Sequence, residues 1–262
     1  MCLLVLAWRA HPRYRLIVAA NRDEYHDRPA DPLAPWPEAG GLLAGRDRRA
    51  GGTWLGIDRG RRFGVITNYR ERQASPAGAP SRGGLIPGYL NAAVAPGEYL
   101  ATLAPLAGRY GGFNLLLVDA QSLWYGSNRA EPFARRLEAG IYGLSNHHLD
   151  SPWPKLTRVR RAFEQWLRGA GGGEEAPADL LALLDDRRPA GADERVLPQA
   201  PSTSWERALS APFVEHPEFG TRCSTVLLLE PSGALRICER RFDRRGHRSG
   251  QRDFRLAADE WR

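Results

Sequence analysis

Cys2 follows the initiator Met1 directly, and about twenty residues later the chain reads Asn21-Arg22-Asp23-Glu24. Aminopeptidases trim an initiator methionine that precedes a residue as small as cysteine, so the mature chain is expected to begin at Cys2. Such a residue carries a thiol and a free α-amine on one carbon. The amine, with a pKa near 8, takes the thiol proton directly or through a water, and one residue supplies both nucleophile and base. A thiol buried in a strand would instead be an inert small hydrophobe. Arg22 favours a thiolate, and an ionised Asp23 holds or orients the amine. The alternative reading of residues 21–24 is an ordinary polar turn after a strand.

Two apolar runs bring these halves together. Residues 3–8 and 14–20 flank Arg9-Ala10-His11-Pro12-Arg13, which reads as a β-hairpin with a five-residue loop. Regular pairing sets Trp8 opposite Tyr14 and Cys2 opposite residues near Ala20, within a slip of one or two residues. Arg22 and Asp23 then leave the second strand beside Cys2. The first strand is continuously apolar, which predicts burial on both faces.

The chain has 262 residues, enough to bury a core without disulfides or metals. Its three cysteines, Cys2, Cys223 and Cys238, form no CxxC pair, which argues against structural zinc and a disulfide framework. Cys223 and Cys238 lie in apolar runs and read as core residues. The first apolar run is too short for a membrane span and lacks a preceding basic region, so a soluble, cytoplasmic protein without membrane insertion is expected. The formal charge of +7 rests almost entirely on arginine, Lys155 being the only lysine. The arginines are scattered, and Arg158, Arg160 and Arg161 sit mostly off the apolar stripe of one helix, as on a solvated face. With no nucleic-acid-binding motif beside them, nucleic acid is not the expected partner.

Residues 28–37 are Pro-rich and read as an irregular crossing loop. Strands are predicted at 42–44, 53–57, 63–67, 113–118 and 123–125, and helices at 85–92 and 98–106. The clearest helix is 155–168, where Leu156, Val159, Phe163, Trp166 and Leu167 repeat at spacings of three and four. A short helix follows at 178–184, and 224–229 with 234–239 form a last hairpin. Strands thus surround a helical centre without βαβ alternation, which predicts an α+β domain of mainly antiparallel sheets covered by helices, one domain over 1–262.

Acyl transfer also needs donors aimed at an oxyanion. Asn68 ends the strand 63–67 and Asn146 ends the run 141–146. An amide at a strand end projects into a cleft or caps a turn. His147 and His148, adjacent on a strand, would point to opposite faces and make no metal pair. His148 is a candidate ligand contact. Arg222 and Arg240 flank the last hairpin and could meet an anionic substrate.

Together these residues resemble the NRDE family, also called the transport and Golgi organisation protein 2 family. The matching segments are Met1-Cys2, Ala20-Asn21-Arg22-Asp23-Glu24 with Arg28-Pro29, and Gly52-Thr53-Trp54-Leu55-Gly56. Further on come Thr67-Asn68-Tyr69-Arg70, Gly143-Leu144-Ser145-Asn146, Pro152-Trp153-Pro154-Lys155 and Thr221-Arg222-Cys223-Ser224-Thr225. The resemblance implies a four-layer αββα sandwich of the N-terminal nucleophile hydrolases, close to the bile-salt hydrolase and penicillin V acylase branch. It implies catalytic roles for Cys2, Arg22, Asp23, Asn68 and Asn146, and substrate contacts for Asn21, Tyr69, His148 and either Arg240 or Arg222. The implied activity is hydrolysis of a non-peptide C–N bond in a small N-acyl compound, without a cofactor. Some members are connected with haem trafficking, so a carrier or chaperone of haem or an acyl ligand on the same fold is the alternative.

Overall fold

A computed structural model describes residues 3–38, 41–71, 78–169, 172–191 and 203–260. In chain order the strands and helices are β1 (Leu3–Trp8), β2 (Leu16–Tyr25), β3 (Ala30–Trp36), β4 (Leu42–Asp47), β5 (Leu55–Ile57), β6 (Phe63–Asn68), α1 (Leu85–Asn91) and α2 (Pro96–Leu103). They continue as β7 (Phe113–Val118), β8 (Leu123–Ser127), β9 (Ala134–Leu137), β10 (Gly140–Leu144), α3 (Pro154–Arg168), α4 (Ala176–Leu183) and α5 (Thr203–Leu209). The last three strands are β11 (Phe219–Leu229), β12 (Leu235–Phe242) and β13 (Arg248–Leu256). The fold is α+β, and the strand pairings within both sheets are antiparallel. Contacts group the chain into two compact units, one of residues 1–27, 139–145 and 149–259, the other of 28–138, 146–148 and 260–262.

The first unit is built on a six-stranded sheet in the order β10-β1-β2-β11-β12-β13. Helices α3 and α4 pack on the face that carries Leu3, Val5, Ile17, Ala19, Val226 and Cys238. From α3 the residues that enter this core are Leu156, Val159 and Phe163, with Trp166 and Leu167 packed at its margin, as the periodicity predicts. Burying each of these aliphatic or aromatic side chains is worth roughly 1.5–3 kcal/mol relative to exposure. All of β1 is buried, as its unbroken apolar run predicts. Pro154 opens α3 at a position where its missing N–H costs nothing.

The first hairpin forms with its register two residues away from the simple count. Trp8 lies opposite Leu16 and Leu3 opposite Asn21. Tyr14 is apolar because it joins the core under α3, stacking on His11 at 5.2 Å, and not because it belongs to a strand. His11 Nδ1 accepts from the N–H groups of Arg13 and Tyr14, and the loop extends to Arg15, whose carbonyl accepts from Arg9 N. A shift of two keeps every side chain on its predicted face.

The second unit holds a seven-stranded sheet ordered β3-β4-β5-β6-β7-β8-β9, with α1 and α2 packed on one side. The Pro-rich composition of 28–37 predicts an irregular loop, but 30–36 form β3. The strand is an edge, and its pairing with β4 shifts register between Asp31 and Ala34, around Pro32. Edges and bulges are where a strand admits proline. Helix α2 ends at Leu103 and gives way to a 3-10 turn containing Pro105, which cannot continue an α-helix. Gly52, at the head of the run Gly52-Thr53-Trp54-Leu55-Gly56, has a packing role. A Cβ there would collide with the backbone of Gly83.

Candidate active site

In the first unit the candidate residues sit on β2, which runs to Tyr25 where the sequence suggests an exit near Ala20. The reason is β11, which pairs with β2 from Leu16 to Tyr25 and outlasts β1. Arg22 and Asp23 are therefore strand residues, and both are buried. Thr221 Oγ1 donates to Asp23 Oδ1 at 2.7 Å and accepts from Val214 N at 2.9 Å. Arg22 Nη2 lies 3.8 Å from Glu24 Oε2. Cys2 lies outside the described residues.

Asn21 is tied into the fold instead of facing a substrate. It is 0% exposed, its Nδ2 donates to Leu184 O at 2.9 Å and Pro212 O at 3.0 Å, and its Oδ1 accepts from Ser224 Oγ at 2.6 Å. Both amide donors and one acceptor lone pair are in use, which leaves no donor for a ligand.

The two competing arginines are placed differently. Pairing places Ser224 opposite Asn21 and Arg240 opposite Ser224, so Arg240 lies on the face covered by α3 and α4. Its Nε reaches Gln251 Oε1 at 3.4 Å. Arg22 faces the other way, with Cys223 and Arg241 directly across from it and Glu239 two residues before Arg241. The structure thus puts Arg241 and Glu239, neither of them a sequence candidate, on the face of Arg22 and turns Arg240 away. A signal for them existed. In the run Leu235-Arg236-Ile237-Cys238-Glu239-Arg240-Arg241-Phe242, charges fall at positions of both parities, so each face of β12 must hold one.

Arg222 is the extra residue of a bulge between Thr221 and Cys223. Bulges re-aim a side chain. Here the guanidinium donates to His26 O at 2.8 Å, with a longer contact to Tyr25 O at 3.4 Å, and fastens the end of β2. Burial, then repulsion from Arg22 and Arg241, lowers its affinity for its proton. Cys223 and Cys238 are free and buried, as expected. Burial raises the Cys223 thiol well above its ordinary value, aided by Glu239, and raises Cys238 to about 11. Both remain protonated and unreactive at neutral pH.

In the second unit the structure brings the two candidate asparagines together. Asn146 Nδ2 donates to Asn68 O at 2.9 Å, and Arg70 N returns a bond to Asn146 O at 2.7 Å. Asn146 is buried, whereas Asn68, the last residue of β6, is exposed. The amide nitrogen of Asn146 keeps a second N–H beyond the bond to Asn68. Its Oδ1 is buried without a hydrogen-bond partner among the described residues. An unpartnered buried acceptor costs about 1–3 kcal/mol and calls for an explanation.

Tyr69 follows Asn68, and its N–H is held by Gly112 O at 2.9 Å. Its hydroxyl meets His148 Nε2 at 3.1 Å, and its ring lies 5.1 Å from both His147 and His148. The two histidines occupy bends and not a strand, so they do not point apart, and their rings are 4.7 Å from each other. Burial and the neighbouring His148 lower the His147 pKa, and burial raises that of Tyr69. Among the described residues no group of three or more His, Cys, Asp or Glu is placed to hold a metal. Asn114, which sequence reasoning passed over, supports this cluster. It is fully buried, donates to His147 O at 2.9 Å and Thr67 Oγ1 at 3.2 Å, and accepts from Tyr125 OH at 2.7 Å. Nothing in its run, Phe113-Asn114-Leu115, distinguishes it beyond being polar in an apolar strand.

A groove of about 500 Å³ in the first unit is lined by Asp150, Leu156, Arg160, Arg161 and Glu164 and contains none of the candidate residues. Arg160 is paired there with Asp150 at 2.7 Å and Glu164 at 3.0 Å, and Arg158 reaches Asp186 at 3.5 Å, so two of the three arginines expected on a solvated face are held in ion pairs.

The transport and Golgi organisation 2 family model matches residues 1–244. This chain belongs to that family. It is 33% identical to the bovine transport and Golgi organization protein 2 homolog and 32% identical to the human one, in each case over 92% of both chains. The Drosophila melanogaster protein of that name is 26% identical over 91% of both chains. Among solved structures, the Caenorhabditis elegans N-acylethanolamine-hydrolyzing acid amidase ortholog shares 12% identity, with a TM-score of 0.49 over 88% of this chain and 93% of that one. No described helix is long and apolar enough to cross a membrane.

Proposed function

We propose that this family member is an N-terminal-cysteine amidohydrolase of small N-acyl compounds. The observation that carries this reading is the bond between Asn146 Nδ2 and Asn68 O at 2.9 Å. Two asparagines more than seventy residues apart in sequence meet through the backbone carbonyl of Asn68, one residue exposed and the other keeping a spare amide donor. That is what a pair of oxyanion donors requires. The orphaned Asn146 Oδ1 fits a polar site left incomplete until a ligand enters.

In the proposed reaction the α-amine of Cys2 takes the thiol proton, and the thiolate attacks the amide carbon. Asn68 and Asn146 stabilise the tetrahedral oxyanion. The protonated α-amine returns its proton to the leaving nitrogen as the C–N bond breaks. Water then attacks the thioester and releases the acid, restoring the thiol. In this reading Arg22 favours the thiolate and Asp23, whose Oδ1 accepts from Thr221 Oγ1, orients the amine.

A carrier of haem or an acyl ligand is the second reading. It is favoured by the Tyr69, His147 and His148 cluster, in which a histidine with a lowered pKa is neutral and able to bind a metal centre at neutral pH. The test uses wild type and Cys2→Ala, each with N-acyl amino acids, acyl-homoserine lactones and penicillin V, and each titrated with haem. Covalent acylation at Cys2 with turnover is the expected result. No acylation by any amide, with tight haem binding in both proteins, would replace the enzyme with the carrier.

A further inference from the structure

The four sheet edges are finished in different ways. β10 is bonded to the chain beyond it, with Asp150 N donating to Gly143 O and Asp150 Oδ1 accepting from Gly143 N. β3 carries two prolines, and β9 has only four residues. β13 is nine residues long, free of proline, and contains no buried residue. It closes the six-stranded sheet, and among the described residues no strand pairs along its outer side. Such an edge offers a row of backbone donors and acceptors to another extended chain.

The hairpin that ends in this edge also carries most of the chain's net charge. Residues 236–255 contain eight arginines against Glu239, Asp243 and Asp253, which leaves five of the seven net positive charges on one hairpin. Arg236 is paired with Asp253, and Arg255 with Glu174. Arg244, Arg245, Arg248 and Arg252 are exposed and form no ion pair among the described residues. Register sets Arg252 opposite Glu239 and Arg248 opposite Phe242, so the free arginines of β13 flank the edge on both faces. A second copy pairing there would bring like charges together, which disfavours self-association.

We propose that β13 is a docking edge for an extended acidic peptide segment of a partner protein, which adds a strand to the six-stranded sheet. Backbone bonds supply the pairing, and Asp or Glu side chains on the two faces of the added strand meet Arg248 on one face and Arg252 on the other. The family match ends at residue 244, so this strand lies beyond the matched region.

The test is fluorescence anisotropy of the full chain with a labelled Thr-Glu octapeptide of sequence Thr-Glu-Glu-Thr-Thr-Glu-Glu-Thr, whose glutamates fall on both faces of an extended strand. Three competitors are a Thr-Lys octapeptide, the Thr-Glu peptide N-methylated at alternate residues, and anionic phosphatidylserine vesicles; single-stranded DNA is a fourth. Saturable binding of Thr-Glu, weakened by salt and reduced about tenfold or more in Arg248→Glu/Arg252→Glu, is expected. Both substitutions are exposed, and circular dichroism checks the fold. The N-methylated peptide keeps its charge but loses its donors, so it must bind far more weakly. Equal binding of that peptide, no binding of Thr-Glu, or tighter binding of vesicles or DNA would overturn the proposal.

Discussion

The end of β2 and the end of β6 present similar residues, Asn21-Arg22-Asp23 in one unit and Asn68-Tyr69-Arg70 in the other, yet they are finished in opposite ways. At β2 the amide of Asn21 has both donors satisfied by carbonyls, Asp23 accepts from Thr221, and all three residues are buried. At β6 the Asn68 residue is exposed, the Tyr69 hydroxyl reaches a histidine, and Asn146 keeps an oxygen unpartnered among the described residues. The first spends Asn21 on the scaffold and leaves the proposed chemistry to Arg22 and Asp23. The second leaves the Asn146 amide with hydrogen-bonding capacity that a ligand can use. A polar residue's type does not tell these apart; its set of partners does.

The strongest way to break the comparison is through the residue proposed to carry the chemistry. Cys2→Ala should abolish acylation by any amide substrate, read as the loss of a mass adduct on the intact protein. Intact mass of the unmodified protein serves as the companion measurement, since a retained Met1 would block the α-amine and end the hydrolase reading.

Asn146→Ala should slow turnover by about a hundredfold or more through loss of an oxyanion donor. Its stability cost should be near the ~1 kcal/mol of a single hydrogen bond. Normal kcat in this variant would remove the second unit from the chemistry. Asn21→Ala should do the reverse. It strands the carbonyls of Leu184 and Pro212 and should cost about 2 kcal/mol in urea unfolding, with kcat per folded molecule unchanged. A purely kinetic defect would return Asn21 to the substrate contacts.

The smallest effect concerns pH. Burial and His148 lower the pKa of His147, so the unfolded chain binds that proton more readily than the folded one. The contribution to stability is present above the ordinary histidine value of about 6.5 and is lost as pH falls through it toward the folded value. His147→Gln should flatten the dependence of Tm on pH below about 6.5. The group is partly exposed, and solvent screening keeps the change small. An unaltered slope would mean that another group sets it.

Periodic features are legible in the amino-acid sequence. The stripe on α3, the continuous apolar run of β1 and the terminal hairpin follow from burial on a helix face or in a sheet, and each appears where the spacing puts it. Elements whose reason lies outside their own residues are not. β3 hides behind its prolines, which only an edge position permits, and β13 behind its charges, which only an exposed edge tolerates. The two-residue shift of the first hairpin arises because Tyr14 is apolar for the sake of a helix remote in sequence.

The same division runs through the candidate site. The sequence alone singled out the residues proposed for the chemistry: a cysteine after the initiator methionine, an arginine and an aspartate twenty residues on, and two asparagines that close apolar runs. It also determined membership of the family, because those segments recur in order along the chain. Tertiary structure decided which groups meet. It joined Asn146 to Asn68, turned Arg240 from the face of Arg22 and set Arg241 and Glu239 there, and withdrew Asn21 into the scaffold. The physical reason is that strand register and hydrogen-bond partners are pairwise properties of distant segments. A residue's type fixes what it can donate or accept, and only the fold fixes what stands within about 3 Å to receive it.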